Sequence, residues 1–442
     1  MQADYRIFLE QVVIVDKPSV LIISSADPFV GPGVLALDMY KAFLQQHFDC
    51  DLLTKYEVTD HPEILYVEKR PETSFFARIK RKLHYYKEKI SPTEKPGPYY
   101  FFYKKEENPP VSVEKVLKTV KKKYDVVLLI FWQGLLSFKT VLKLYEQQNS
   151  LFIFKNIDYS TMSGGCHFVG SCERFKIGCG ACPVWNSSDE NDFTASNVKY
   201  RESVYKRVKP VITGNYYMQQ YYRQSYLLKD MQYALTFPII DTDKFTIFDS
   251  VDIRLQSSIP TDAFVISFAS QSLNDERKGM KYIFEALSLF RNMISEDEAN
   301  RVFVITAGNS NNIEDKIPFA AKHFGYVPHD FLPKFYNISD VFLCSSVNDA
   351  GPMMVNQSIC CGTPVVGFEM GACLQIVKDC GTGYCAKLKD AQDLAKGIKE
   401  MYNLSDEERA AIKERCRTLG VEKHSYKAQT DFVLELYNKY KT

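Results

Sequence analysis

Residues Ser345 to Phe368 read SSVNDAGPMMVNQSICCGTPVVGF. An apolar, strand-like run, DVFLCSS (Asp340 to Ser346), leads into a polar pair at Asn348 and Asp349. Gly351-Pro352 then opens a helix that ends at Gly362, and TPVVGF (Thr363 to Phe368) reads as the next strand. Strand, loop, helix and strand in that order are the repeating unit of a layered α/β domain. The helix start is a ready anion site, because its first amides have no intrahelical partner and the macrodipole favours negative charge there. Gly351 lets the backbone approach a ligand closely, and Pro352 suits a first turn where no amide is needed. An ordinary strand-to-helix turn capped by Asp349 would use the same residues.

The alternation extends in both directions. VISFAS (Val265 to Ser270) and VFVITAG (Val302 to Gly308) are strand-like, with helix-period segments between them, so the second half of the chain reads as one doubly wound domain. In the first half SVLIISS (Ser19 to Ser25) breaks at Asp27-Pro28 and Gly31-Pro32-Gly33, and Val34, Leu37, Tyr40, Phe43 and Leu44 follow at helical spacing as a predicted buried face. VVLLIFW (Val126 to Trp132), LFIFKNID (Leu151 to Asp158) and PVIT (Pro210 to Thr213) continue the parallel pattern. The expected organisation is a Rossmann-like domain over 1–240, a second over 241–424, and a helix in 425–442 that packs back on the first. The linker is placed around Pro238 to Asp262.

At 442 residues the chain exceeds what one hydrophobic core usually serves. Its formal net charge of +1 gives no argument for nucleic acid or a strongly acidic partner, and no nucleic acid is expected. The segment MQADYRIFLEQVVIVDKPSV does not read as a signal peptide, and no apolar run approaches the length of a membrane span. The expected location is the cytoplasm. Gly31-Pro32-Gly33 lacks the third glycine of the dinucleotide fingerprint, so a dehydrogenase fits poorly.

Anchored on Cys361-Gly362-Thr363-Pro364, the sequence resembles the retaining glycosyltransferases of family 4, whose GT-B architecture sets two Rossmann-like domains across a cleft. In that family an acid and a Glu, separated by seven residues, precede this anchor; here they fall on Asp349 and Gln357. The resemblance implies that Asp349 lies near the transferred sugar and that Gln357 takes the place of the acid on the donor ribose. It places Gly351, Pro352, Met353 and Met354 around the donor. In SFASQSLNDERKG (Ser267 to Gly279) Lys278-Gly279 matches a family pair whose cation faces the donor phosphates, with Arg277 as the second cation. Gly31 and Gly33 match the glycine loop of the first domain. Asp158 corresponds to an acceptor-side Asp, while the His that usually precedes it is Ile157.

The implied activity is transfer of a sugar from a nucleoside-diphosphate donor to a glycan or lipid-linked saccharide, with retention and without a catalytic metal. A catalytically impaired binder and a sugar-nucleotide epimerase of the same architecture are the alternatives.

DYSTMSGGCHFVGSCERFKIGCGACP (Asp158 to Pro183) resembles a segment of a bacterial subgroup of that family and carries Cys166, Cys172, Cys179 and Cys182. This density supports a structural tetrathiolate zinc knot, with His167 able to replace one thiolate. Two disulfides or four free thiols are the alternatives. Between Lys69 and Ile90 basic residues outnumber acidic ones, and Phe75, Ile79, Leu83, Tyr86 and Ile90 recur at helical spacing. Such a helix is either a solvated insertion or a contact with an anionic membrane, at the inner face, where the acceptor would be lipid-linked.

Overall fold

The computed structural model describes residues 17–70, 105–273, 275–309 and 313–441. The basic segment from Lys69 to Ile90 therefore lies almost entirely outside the described residues. Two parallel sheets organise the chain. The first runs β3-β2-β1-β4-β5-β6-β7, with β1 at Val20–Ser24, β2 at Cys50–Tyr56, β3 at Leu65–Glu68, β4 at Val126–Ile130, β5 at Leu151–Lys155, β6 at Val211–Gly214 and β7 at Tyr233–Leu235. The second runs β10-β9-β8-β11-β12-β13, with β8 at Phe264–Ser272, β9 at Val302–Asn309, β10 at Ala320–His323, β11 at Val341–Cys344, β12 at Val365–Phe368 and β13 at Gly383–Ala386. Every ladder in both sheets is parallel.

The central strands are fully buried, VLIIS of β1 and VVLLI of β4 on both faces, as their continuous apolar runs require once helices cover the sheet. The helix Pro32–Gln45 covers one face. Its buried side is broader than the period alone predicts: Leu35, Ala36, Met39 and Ala42 are buried, while Leu44 is 44% exposed. The reason is a second neighbour. The C-terminal helix Tyr426–Tyr440 packs beside it, with Val433 and Leu436 in the same core as Leu35, Met39 and Phe43.

The chain leaves the first domain at Ile239, which is buried in that core, and enters the second at Ile240, which is buried in the other. It returns at His424, whose Nδ1 meets the Pro238 carbonyl at 2.8 Å and whose own carbonyl accepts from the Ile240 amide at 3.0 Å. The two interdomain passages thus lie side by side. The stretch expected to be a linker is itself packed: Phe245 and Ile259 are buried in the second core, and Val251–Gln256 is helical.

In each sheet the strand order reverses once, between β1 and β4 and between β8 and β11. Ligands of open α/β sheets bind at such switch points, beyond the carboxyl ends of the strands.

Candidate functional site

The loops after β8 and β11 leave adjacent strands at the switch point of the second sheet, and each brings one charged residue to the cleft. The turn after β8 carries Lys278 and the turn after β11 carries Asp349, whose Oδ2 accepts from Lys278 Nζ at 2.5 Å. The turns are also tied by backbone: the Val347 amide donates to the Arg277 carbonyl at 2.8 Å, and Ser345 Oγ donates to the Lys278 carbonyl at 2.8 Å. Gly279 makes this approach possible. Its φ is +64°, and a Cβ there would stand 2.1 Å from the Ser345 carbonyl oxygen. Burial pulls the Lys278 ammonium down, but the Asp349 carboxylate outweighs it and the net shift is upward. Lys278 is therefore a fixed cation.

Asp349 Oδ1 accepts from the Gly351 amide at 3.1 Å, which aims the loop at the start of the helix Met353–Cys360. Gly351, Pro352, Met353 and Gln357 line the cleft together with Lys278, Asp349 and Gly31, around a cavity of about 480 Å³. Gln357 is buried, and its Oε1 accepts from Tyr336 Oη at 3.0 Å.

Four sequence-predicted residues lie off the cleft lining. Gly33 is packed where a Cβ would stand 1.8 Å from the Asp27 carbonyl oxygen. Met354 packs against the core of the second domain. Arg277 gives its guanidinium to Asp275, through Nη2 to Oδ2 at 2.7 Å and Nε to Oδ1 at 3.2 Å, and lies over the ring of Phe168. Asp158 is buried in the first domain, where Oδ1 accepts from the Ser160 amide at 2.8 Å and Oδ2 meets His167 Nδ1 at 2.7 Å. Burial alone would raise the Asp158 pKa, and the His167 pairing outweighs it, so the carboxyl is held below its usual range. Neither Arg277 nor Asp158 lines the cleft that receives Lys278.

Several lining residues escaped the sequence reading. Asn215 caps the helix Tyr216–Gln224 and reaches across the cleft to donate to the Ala350 carbonyl at 2.5 Å. Lys155, at the end of β5, is buried and donates to Gln429 Oε1 at 2.9 Å, Thr236 Oγ1 at 3.2 Å and the Phe237 carbonyl at 3.3 Å; burial pulls its pKa down to about 7. A lysine ending the apolar run LFIFK was the available signal. Asp38 lines the same cavity, accepts from Tyr426 Oη at 3.0 Å, and is raised to about 6 by burial despite that bond.

The cysteine-rich segment forms a separate structure. Cys166, Cys172, Cys179 and Cys182 are free thiols that line one small cavity of about 20 Å³. Burial pushes Cys166 up to about 11 and Cys179 up to about 12. Among the described residues no three His, Cys, Asp or Glu side chains are arranged to hold a metal ion. His167, expected as an alternative ligand, does not line this cavity, because its Nδ1 is turned to Asp158.

Comparison with known proteins places the Lys278–Asp349 pair in a family segment. Residues 251–418 match the glycosyl transferases group 1. Two curated relatives, both D-inositol 3-phosphate glycosyltransferases, are 25% identical over 205 residues in Thermomonospora curvata and 24% identical over 184 residues in Stackebrandtia nassauensis. These matches take in 42% and 38% of this chain and span 44% and 40% of the relatives, less than half of either. Among solved structures, a sucrose-phosphate synthase from Thermosynechococcus elongatus superposes with a TM-score of 0.63 at 14% identity, covering 96% of this chain and 99% of that one. The Anabaena protein HepE, in complex with UDP-glucose, gives 0.61 at 12% identity, covering 96% and 100%. The two parallel-sheet domains facing a cleft are thus the GT-B fold. The group 1 segment contains Lys278, Asp349, Gly351 and Gln357. No helix among the described residues is long and apolar enough to cross a membrane.

Proposed function

We propose that the protein is a hexosyltransferase that moves a sugar from a nucleoside-diphosphate donor to a glycan or lipid-linked saccharide, with retention, as in family 4. The observation that carries this reading is the Lys278–Asp349 pair at the switch point of the second sheet, 2.5 Å apart and opening on the interdomain cavity beside the helix Met353–Cys360. The group 1 match and the UDP-glucose complex of HepE support it. The leaving diphosphate develops negative charge, and a cation already fixed in a partly desolvated cleft stabilises it without reorganisation. On donor binding the phosphate takes Lys278, and Asp349 turns to a hydroxyl of the sugar. The leaving phosphate receives the acceptor proton on the same face of the sugar.

A panel of nucleoside-diphosphate sugars tested by thermal shift identifies the donor, because a ligand of the native state raises the melting point. Release of nucleoside diphosphate from that donor must follow. A donor that shifts melting but releases nothing, with or without saccharide acceptors, would sink the transferase reading in favour of a binder. Conversion of the donor to another sugar nucleotide would favour an epimerase.

The cysteine-rich segment, in the same reading, takes one structural zinc ion on Cys166, Cys172, Cys179 and Cys182. The support is their convergence on a single cavity as free thiols. Zinc would displace the thiol protons and draw the ligands together, stiffening a loop beside the cleft without entering the chemistry.

A further inference from the structure

The cysteine-rich segment belongs to the first domain, yet it touches the second at the turn that carries Lys278. Phe168, two residues after Cys166, is half-buried against the core of the first domain and meets the edge of Tyr159 at a centroid distance of 6.3 Å. Its outer face lies under the Arg277 guanidinium, with Cζ 4.6 Å from the ring centroid. We infer that Phe168 is a positioning residue that latches Arg277 across the domain boundary, beside the cleft, and thereby holds the Lys278–Asp349 pair in register for the donor.

Both sides of the contact are stiff. On the first domain, the Tyr159 amide donates to the His167 carbonyl at 2.9 Å, the Cys172 amide donates to the Val169 carbonyl at 2.9 Å, and His167 is held by Asp158. Phe168 is thus pinned on either side. On the second domain, Asp275 grips both Nε and Nη2 of Arg277, so the guanidinium is held in place. A guanidinium carbon 4.6 Å from a ring centroid is within range for attraction to the ring quadrupole. The Arg277 carbonyl accepts from the Val347 amide, and Lys278 is the next residue in the chain, so a displacement of Arg277 moves both members of the pair. Arg277 accordingly acts on the donor through position and not by touching it.

This inference rests on the donor reading above, and the two fail separately. With the donor found by thermal shift, Phe168→Leu should raise donor KM about 2–5-fold, the scale of one cation–π contact, while kcat stays within about twofold. Phe168→Tyr should restore the KM, since it keeps the ring. In an Arg277→Gln background, Phe168→Leu should have no further effect. A purely structural role would lower the melting temperature and leave KM unchanged; that result, or single effects that multiply independently in the double variant, overturns the latch. A second readout needs no donor. Small-angle X-ray scattering of the free protein should show a larger radius of gyration for Phe168→Leu and for Arg277→Gln, with no further increase when they are combined. If no nucleoside-diphosphate sugar binds the unsubstituted protein, the donor reading fails while the scattering still decides whether the latch exists, and unchanged scattering overturns it.

Discussion

Lys278 and Asp349 satisfy one another in the free protein, so binding a diphosphate must exchange one anionic partner for another at the same ammonium. In the proposed function Lys278 acts in both ground and transition state, so with Lys278→Ala donor KM should rise and kcat fall, with kcat/KM down by about 10²–10³. Steady-state kinetics with the identified donor check this, and unchanged kinetics would remove Lys278 from the site. Gly351 is held by space. A Cβ there would lie 2.6 Å from Asn215 Nδ2, the group that reaches across to the Ala350 carbonyl. Gly351→Ala should therefore cost about 1–3 kcal/mol of stability by pushing the two loops apart, measured by urea unfolding. Asn215→Gly should recover part of that loss. Asp349 was legible because it stands in a loop between a buried strand and Gly351-Pro352, and Lys278 because Lys278-Gly279 matches a family pair. Asn215 was not, since an Asn before a helix reads first as a cap, and it is one: its Oδ1 accepts from the Met218 amide at 2.9 Å.

Among the elements, the cysteine-rich loop is anchored to the first domain by polar contacts. Arg201, on the helix Phe193–Val208, donates to the Ser163 carbonyl at 2.5 Å and pairs through Nε with Glu106 Oε1 at 2.7 Å, deep in the first domain. Asn197, on the same helix, donates to the Gly164 carbonyl at 3.0 Å. The loop is thus bolted at one end, and the proposed zinc would close the other. Purified protein should contain about one zinc per chain, lost on Cys179→Ser together with Cys182→Ser, and the loss should lower the melting temperature more than it lowers kcat. Elemental analysis with thiol titration decides between zinc, disulfides and free thiols, and a metal-free preparation of full stability ends the zinc reading. Regular elements were legible in proportion to burial. The strands β1, β4, β5, β6, β8, β9, β11 and β12 stood out as apolar runs. Strands β2, β3, β7, β10 and β13 did not, because they lie outside the centre of each sheet and carry residues such as Asp51, Lys55, Glu68 and Lys322, or an exposed Leu235.

At the scale of the whole molecule, the two passages between domains meet at His424. The ring is fully buried, donates through Nδ1 to the Pro238 carbonyl, and its other nitrogen has no hydrogen-bond partner among the described residues, which suits a neutral imidazole. Burial lowers its pKa from 6.5 to about 4; the Pro238 bond opposes this, and Lys155 nearby adds to it. With the folded value below the unfolded one, the unfolded chain binds the proton more readily. The contribution to stability is present above about pH 6.5 and is lost as pH falls toward 4, up to about 3 kcal/mol in all. His424→Gln keeps a donor for Pro238 and removes the titration. The difference in unfolding free energy between the two proteins should therefore shrink or reverse between pH 6.5 and 4, and a difference independent of pH would exclude His424 as the titrating group.

The local pattern by itself determined the layered α/β class, the duplication into two domains and the turn that carries Asp349, while Lys278 was reached through the family resemblance. Those features depend on apolar period, glycine and proline chemistry and the order of elements along the chain, all of which are local. Tertiary structure alone decided that Arg277 turns to Asp275 and Phe168, that Asp158 is paired below the cleft with His167, and that Lys155, Asp38 and Asn215 line it. Those outcomes depend on which segments far apart in sequence come within about 3–5 Å of each other, and contacts of that kind leave no periodic trace in the chain.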